Sequence, residues 1–493
     1  TTRWIQCQHS DFPISPQDPG GSGRNAIASV PHDQQIAIMS IPGLGHLVAP
    51  QPTSANQTRT IRLQPFWEWR FEVAFDTHIT LKLLSGTAEK DGTELALQHA
   101  YTFAGTKSKI LTLQGCELEV EGSLSDEFLA EYAKPQDSPA NSILNLHFQL
   151  TAMRQRAATE RREGPRIAIC GPPTTGKTSL VRTLTSYATR VGAQPLVVNT
   201  DPKEGMLSLP GTLSASVVGT VLDVEAVDGW GTTPTSGPSQ VPVKLPLVYY
   251  YGHASAEEDQ KKYQELVSKM AATVTSRLGQ DPEVRSSGMI IDTPAMAEKG
   301  NVGIDVLAHV VDELSVNIII VLGSSHLNAE LAKRFSTERT SLGEQYSILL
   351  LDKSEGVVER DVGFMQQACE ASIKEYFFGS IGQTLSPATQ QVDFDSLAIF
   401  RIGDYSMYGN ADDGLMRVDP GQLMAHWTLA IVYASVKDSP ETIRTANVMG
   451  YVYIADIDKE KRKLRILAPV SGRLGDRPLL MGKWPEPFIN LLG

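Results

Sequence analysis

The spacing of apolar and polar residues divides the chain into regions with different periods. In the region that includes Trp69, Phe71 and Val73, short runs place apolar residues at every second position, and glycines separate the runs. A period of two is typical of strands with one buried face, which predicts a small antiparallel sandwich or barrel at 59–140, and of the two we expect the β-sandwich. Residues 1–58 are rich in Pro, Gly, Ser, Gln and Asn, so we expect an extended or disordered lead-in there.

Apolar residues at helical spacing come next and predict a helical connector at 141–164. Continuous apolar runs such as 167–170 then alternate with amphipathic helical patterns. Strands that are buried on both faces have this pattern, so a parallel sheet covered by helices is expected at 165–379. At 380–493 the pattern returns to strands and turns, with a hairpin around 458–462, which predicts a small mixed α/β domain. The fold class is therefore a multidomain α/β protein.

Composition narrows the class of protein. The 493 residues carry a formal net charge of −12, and 41% of them are hydrophobic. A protein that coats nucleic acid by bulk attraction has an excess of Lys and Arg, so any contact with RNA is expected to be local. The four cysteines lie far apart without a C-x-x-C pair, which argues against a zinc ribbon or a disulfide framework. No apolar run approaches the ~20 residues of a membrane span, so no membrane contact is expected.

The most informative motif lies at 171–178 and reads Gly-Pro-Pro-Thr-Thr-Gly-Lys-Thr. It matches G-x-x-x-x-G-K-[ST], the P-loop, with an apolar strand before it and a helical pattern after it. In such a loop successive backbone N–H groups surround the phosphates, Lys177 bridges the β- and γ-phosphates, and the Thr178 hydroxyl binds Mg²⁺. The predicted ATP-binding residues of this loop are Gly171, Thr174, Thr175, Gly176, Lys177, Thr178 and Ser179.

Two carboxylates follow predicted strands of the same sheet. Asp201 comes after Leu-Val-Val-Asn-Thr, and Asp292 comes after Gly-Met-Ile-Ile. Either can orient Mg²⁺, and Asp201 can also accept a proton from an attacking hydroxyl. The alternative for both is an aspartate that caps the next turn. The guanine-reading N-K-x-D pattern is absent at 351–354, which reads Leu-Asp-Lys-Ser, so adenine is the expected base.

Several stretches together resemble a known family. They are the P-loop, Asn-Thr-Asp-Pro at 199–202, Ile-Asp-Thr-Pro at 291–294, Lys-Glu-Tyr-Phe-Phe-Gly at 374–379, and shorter matches at 84–89, 92–95 and 461–467. On these residues the chain resembles the Clp subunit of the eukaryotic mRNA cleavage and polyadenylation machinery, in its fungal cleavage factor IA form. That family is related to RNA 5′-hydroxyl kinases. The resemblance begins near Met39, so we expect residues 1–38 to be an extension or a misassigned beginning.

The resemblance implies features that the residues alone do not. It implies a nuclear protein with three domains that binds cleavage factor IA subunits, chiefly the Pcf scaffold protein, and that reaches pre-mRNA through the complex. It also implies that the N-terminal domain holds adenine through Glu68 and Lys107, which otherwise read as ordinary exposed strand charges.

The resemblance also leaves open whether the chain is an active kinase. Active relatives have a stacking aromatic after the aspartate that corresponds to Asp292, and here the sequence at 293–296 is Thr-Pro-Ala-Met. A lid arginine corresponds to His326, which cannot make a bidentate phosphate contact. Lys333 and Arg334 are possible substitutes, although a solvated helix face explains them equally well. We therefore expect a scaffold that retains ATP, with a 5′-hydroxyl kinase that uses Lys177 and the base Asp201 as the alternative.

Overall fold

The computed structural model describes residues 58–226, 229–230, 246–295, 301–380, 384–403, 414–472 and 474–492. The expected lead-in, except for residue 58, and the proposed extension at 1–38 lie outside the described residues. None of the described helices is both long enough and apolar enough to cross a membrane.

The N-terminal domain consists of two antiparallel sheets that pack face to face. One sheet has the order β1-β8-β3-β6, and the other has the order β5-β4-β7-β2-β9. The strands are β1 Arg59–Leu63, β2 Glu68–Val73, β3 Ile79–Gly86, β4 Glu89–Lys90, β5 Thr93–Glu94, β6 Ala100–Phe103, β7 Thr106–Leu111, β8 Cys116–Gly122 and β9 Asp126–Ala130. Their alternate residues, including Trp69, Phe71 and Val73, form the buried core, so the predicted sandwich is confirmed.

A long helix joins this domain to a second sheet that is covered by helices. The elements in order are α1 Pro139–Glu160, β10 Arg166–Cys170, α2 Lys177–Arg190, β11 Leu196–Asn199, β12 Thr212–Val217, β13 Leu247–Tyr250, α3 Gln260–Gln280, α4 Pro282–Ser287, β14 Met289–Asp292, α5 Asn301–Glu313, β15 Ile318–Leu322, α6 Ser325–Arg334, β16 Ser347–Leu351 and α7 Val362–Phe378. The strand order is β13-β12-β11-β14-β10-β15-β16.

The predicted parallel arrangement applies to five of these strands but not to the whole sheet. Strands β11, β14, β10, β15 and β16 run parallel, whereas β12 is antiparallel to β11 and β13 is antiparallel to β12. The connection from β11 to β12 has no helix, and only a parallel neighbour requires a long crossover. The central sheet is therefore mixed at one edge.

The C-terminal domain is built on a third sheet with the order β17-β22-β21-β20-β23-β18-β19. Its elements are β17 Ala388–Asp393, β18 Ala398–Ile402, β19 Leu415–Val418, β20 Thr428–Val432, α8 Pro440–Arg444, β21 Val448–Asp458, β22 Lys463–Ala468 and β23 Pro478–Met481. The predicted hairpin is confirmed as the antiparallel pair β21 and β22. One face of this sheet shares a continuous apolar core with α7 and β13.

Candidate nucleotide-binding site

The P-loop connects a fully buried strand to a helix. Strand β10 ends at Cys170, whose thiol has its pKa raised to about 12 by burial, so it packs in the core rather than reacts. Thr175 Oγ1 donates a hydrogen bond to the Pro172 carbonyl oxygen at 2.9 Å, and Lys177 Nζ donates to the same oxygen at 3.4 Å. Helix α2 begins at Lys177, so its free N–H groups point into the loop, where they favour an anion.

Glycine is required at two positions of the loop. At Gly171, which has φ +154°, a Cβ would lie 2.7 Å from the Leu322 carbonyl oxygen. Gly176 has φ +89° and lies beside Val357. Side chains at these positions would strain the backbone and push the loop away from its neighbours. The two glycines of the motif therefore have a steric reason in this chain.

Asp292 lies at the carboxyl end of β14 and faces the start of α2. Its Oδ2 accepts a hydrogen bond from the Thr178 hydroxyl at 2.6 Å. Within the described part of the chain, its Oδ1 is buried and has no hydrogen-bond partner. Burial raises the pKa of this carboxyl to about 7, although the Lys177 charge and the Thr178 hydrogen bond act in the opposite direction. An unpartnered buried carboxylate oxygen beside a hydroxyl is the donor set that Mg²⁺ accepts together with phosphate oxygens and water.

A site composed of protein ligands alone is not present among the residues the structure describes, because they contain no group of three or more His, Cys, Asp or Glu side chains that could hold a metal ion. Mg²⁺ in phosphate sites is commonly held by one or two carboxylates together with the substrate phosphates. Thr178 and Asp292 fit that mode, in which a bound Mg²⁺ would neutralise phosphate charge.

Asp201 lies two residues beyond β11, in a turn that it shares with Asn199. The Asp201 N–H donates to Asn199 Oδ1 at 2.9 Å, and Asn199 Nδ2 donates to the Asp201 carbonyl oxygen at 2.9 Å. Asp201 Oδ1 also accepts from the Lys203 N–H at 3.0 Å. Burial raises the pKa of Asp201 to about 6, against the Lys203 hydrogen bond and the Lys177 charge. The structure therefore shows the turn-capping role of Asp201, and the Lys177 charge acts on both Asp201 and Asp292.

Glu68 and Lys107 are not brought together. Glu68 is fully buried, and its carboxylate accepts hydrogen bonds from Lys109 Nζ at 2.5 Å and from Arg70 Nη2 at 3.2 Å. Lys107 instead pairs with Glu72 at 3.0 Å. Strands β2 and β7 place Glu68 opposite residue 111 and Glu72 opposite Lys107, which explains the separation. The cations beside Glu68 were missed by the sequence reasoning.

The segment 352–361, which we call the strap, connects β16 to α7. It contacts the sandwich, the P-loop and the turn that contains Asp201. At Gly356 a Cβ would lie 2.1 Å from Arg70 Nε of the sandwich, so the two groups are in close contact. The next residue of the strap lies beside Gly176 of the P-loop. Arg360 pairs with Glu204, near Asp201, at 3.3 Å. The strap therefore links the sandwich, the P-loop and the Asp201 turn, which no sequence motif indicated.

Comparison with known proteins assigns the family. The protein of Pyricularia oryzae called mRNA cleavage and polyadenylation factor CLP1 is 51% identical over 462 residues, which cover 92% of this chain and all of that protein. The chain belongs to the CLP1 family. The protein of the same name from Botryotinia fuckeliana is 49% identical over 469 residues and is also covered completely.

Family models locate the three CLP1 regions along the chain. Residues 62–157 match the N-terminal β-sandwich domain of polyadenylation factor, 171–379 match the mRNA cleavage and polyadenylation factor CLP1 P-loop, and 385–486 match pre-mRNA cleavage complex II protein Clp1. The resemblance to the Clp family that the sequence predicted is thereby confirmed.

Solved structures extend the CLP1 likeness to the fold. A chain in the structure of the wild-type Clp1p–Pcf11p complex has a TM-score of 0.78 and 30% identity, covering 88% of this chain and 99% of that chain. A second structure, on the extended Pcf11p–Clp1p interface and the basis for ATP loss in a glycine-to-arginine point mutant, also has a TM-score of 0.78 and 30% identity, with 87% and 99% coverage. The predicted division of fold types, sandwich, P-loop domain and mixed domain, is confirmed.

In this CLP1 chain the helix expected to serve as a lid presents little free positive charge. His326 is 68% exposed and lies 3.7 Å from Glu330. Arg334 pairs with Glu338 at 3.2 Å, and Lys333 is exposed. In the turn after Asp292 the described residues are Thr293, Pro294 and Ala295, none of them aromatic, and residue 296 lies outside the described part.

Proposed function

We propose that this CLP1-family chain binds ATP with Mg²⁺ and retains it as a structural nucleotide. The observation that carries the proposal is Asp292, with one buried oxygen unpartnered and the other bonded to Thr178 at the first turn of α2. A buried carboxylate oxygen without a partner is costly, and a cation coordinated by phosphates would remove that cost. Lys177 would neutralise the terminal phosphates, and the N–H groups of 171–178 would bind the phosphate oxygens.

The location of the site favours a scaffold. The P-loop, the sandwich and the Asp201 turn meet around the strap, so a ligand held there would stabilise the arrangement of the domains by mass action. The base would lie toward the sandwich face that carries Glu68. The side chains hydrogen-bonded to Glu68 there are Arg70 and Lys109. Lys107 would contribute only after leaving Glu72, because their ion pair now occupies its ammonium group.

We propose that the scaffold serves the nuclear machinery for pre-mRNA 3′-end cleavage and polyadenylation. Family membership supports this role, and the two matched structures contain Clp1p together with Pcf11p. A Pcf11-type subunit is therefore the proposed partner, and pre-mRNA would be reached through the complex.

Nucleotide content after purification tests the scaffold proposal. Denaturing the purified chain and separating released nucleotides by chromatography should give close to one ATP per chain. Lys177→Met should weaken ATP binding in calorimetry by roughly 10- to 100-fold, since it removes charge-assisted hydrogen bonds to the phosphates. The control is Lys374→Met, on the exposed face of α7, which should bind as the parent does. Equal binding by both variants would contradict the proposal.

An RNA 5′-hydroxyl kinase is the second candidate, and the observation that favours it is Asp201. Burial raises its pKa to about 6, which suits a group that accepts a proton from a hydroxyl near neutral pH. Transfer of labelled γ-phosphate from ATP to a short 5′-hydroxyl RNA separates the two functions. The scaffold predicts no transfer. Transfer that Asp201→Asn abolishes, with ATP binding intact, would establish the kinase.

A further inference from the structure

The turn that follows Asp201 is held by the C-terminal domain. The indole Nε1–H of Trp484 donates a hydrogen bond to the Lys203 carbonyl oxygen at 3.0 Å. Further along the same turn, the Ser208 hydroxyl lies 2.6 Å from the Tyr451 hydroxyl of β21. Two residues of a separate domain therefore contact the segment between Asp201 and β12.

The contact from Trp484 is one residue removed from the carboxylate. The Lys203 N–H donates to Asp201 Oδ1 at 3.0 Å, while the carbonyl oxygen of Lys203 accepts from Trp484. Both polar groups of one residue's backbone are thus engaged, one by the aspartate and one by the indole. The next residue, Glu204, is held from the other side by Arg360 of the strap.

Trp484 itself is fixed to the central domain by its backbone. The N–H groups of Lys483 and Trp484 donate to the Gly252 carbonyl oxygen at 2.7 and 3.1 Å. Gly211, with φ +85°, approaches so closely that a Cβ there would lie 2.5 Å from the Trp484 carbonyl oxygen. An indole on so constrained a backbone can hold its acceptor in one place, because little conformational freedom remains to be lost.

We propose that Trp484 is a positioning residue for Asp201, through which the C-terminal domain sets the Mg²⁺-dependent part of nucleotide binding. This inference rests on the proposed ATP site. The Lys203 hydrogen bond directs the Asp201 carboxylate, and Trp484 fixes the peptide that makes this bond. The residue before Asp201, Thr200, donates two hydrogen bonds to the Asp292 carbonyl oxygen, at 3.0 and 2.7 Å, so the Asp201 turn lies beside the proposed Mg²⁺ ligand. Removing the indole N–H loosens the turn and reduces the fraction of molecules whose Asp201 carboxylate is held beside that ligand.

The test is a double-mutant cycle between Trp484→Phe and Asp201→Asn. ATP affinity is measured by calorimetry on the full chain, with Mg²⁺ and with EDTA. Trp484→Phe should weaken binding roughly three- to tenfold in Mg²⁺, the value of one neutral hydrogen bond, and should change it less than twofold in EDTA. In the Asp201→Asn background the same substitution should have no further effect, because the two residues act as one unit.

Trp427→Phe is the matched control, since Trp427 lies in the same domain and packs against its other core. It should leave ATP affinity unchanged in both conditions. A Trp484→Phe effect of equal size with Mg²⁺ and with EDTA, or one that adds fully to Asp201→Asn, would overturn the inference and indicate packing alone. Failure of the parent chain to bind ATP would instead overturn the proposed function. Near-ultraviolet circular dichroism confirms that each variant is folded.

Discussion

The two interfaces of the central domain differ in chemistry. Toward the C-terminal domain, Phe377 of α7 and Tyr250 of β13 share one apolar core with Tyr453 and Leu480. Toward the sandwich there are ion pairs, beside an aromatic contact between Phe75 and Phe364 of α7. Arg190 pairs with Glu89 at 3.0 Å, and Arg182, of the same helix α2, pairs with Asp91.

The difference indicates which interface a ligand can control. An apolar core of this kind is formed once, on folding, and its energy depends on burial alone. Buried ion pairs gain little net energy after desolvation, so an interface made from them depends more on additional contacts. The proposed nucleotide lies at the ionic interface. We therefore infer that the C-terminal and central domains form a permanent unit and that ATP strengthens the sandwich contact.

The largest effect should come from a cavity in the apolar interface. Phe377 is fully buried, so Phe377→Ala should lower the free energy of unfolding by about 3–5 kcal/mol. Urea denaturation followed by circular dichroism measures the loss. Phe148→Ala, whose side chain is 63% exposed on α1, is the control and should change stability by less than about 0.5 kcal/mol. Saturating ATP should stabilise Phe377→Ala by the same increment as the parent. A smaller increment would mean that the two interfaces are coupled.

The second effect should come from breaking an ion pair at the other interface. Asp91→Asn leaves the buried Arg182 guanidinium without its carboxylate at 3.4 Å and should cost about 3 kcal/mol. Arg182 also contacts Ser179 of the P-loop helix, so here the stabilisation by ATP should fall as well. Thermal unfolding with and without ATP measures both quantities, and Asp76→Asn, an exposed aspartate of the same domain, is the control. An unchanged ATP increment would contradict the distinction between the interfaces.

The parts of the site that the sequence predicted are local in the chain. The P-loop is eight consecutive residues, and Asp292 directly ends a strand whose apolar run is visible. Contacts between distant segments were not predictable, because a single sequence gives no pairing information. Trp484 and Lys203 are 281 residues apart. Lys107 and Lys109 lie on the same face of β7, so the alternation could not tell which of them meets Glu68.

Strand β12 shows a second limit of the pattern. Its sequence Thr-Leu-Ser-Ala-Ser-Val alternates polar and apolar residues, which is typical of a strand with one solvated face. All six residues are buried. The polar face is tolerated because Thr212 donates to the Leu209 carbonyl oxygen at 2.7 Å and Ser214 donates to that of Met206. Carbonyl oxygens of the preceding turn therefore accept the hydrogen bonds that water would otherwise accept. The hydropathy pattern alone does not reveal these contacts.

A third prediction concerns a charge buried near the apolar interface. Lys262 of α3 is 1% exposed and donates to the Tyr251 carbonyl oxygen at 2.9 Å, and burial lowers its pKa to about 7. An unfolded lysine titrates near 10.4, so between these values the unfolded state binds more protons and stability rises with pH. From pH 7 to 9 the parent should gain about 2 kcal/mol relative to Lys262→Met. Denaturant titrations at several pH values measure this, with Lys261→Met as the exposed control. Parallel pH profiles for parent and Lys262→Met would exclude the buried charge.

The smallest effect should come from Glu89. The direction of its pKa shift distinguishes its ion pair with Arg190 from the pair of Asp91 and Arg182. Burial raises the pKa of Glu89, against hydrogen bonds from Tyr187 and Arg190, whereas the charges of Arg182 and Lys90 outweigh burial and lower the pKa of Asp91. A carboxyl with a raised folded pKa binds its proton more tightly when folded. Its contribution to stability therefore falls as pH rises above the unfolded value near 4.3.

Glu89→Gln should remove this decrease of stability with rising pH, while keeping an acceptor for the Tyr187 hydroxyl. At pH 7 we expect its stability to lie within about 1 kcal/mol of the parent, in contrast to Asp91→Asn. Denaturation at pH 5 and pH 7 measures the difference, and Glu94→Gln, which is 53% exposed and pairs with the same Arg190, is the control. If Glu89→Gln costs as much as Asp91→Asn, the ionised form of Glu89 is required. The sandwich interface would then depend equally on both ion pairs, rather than mainly on the pair of Asp91 and Arg182, whose arginine contacts Ser179.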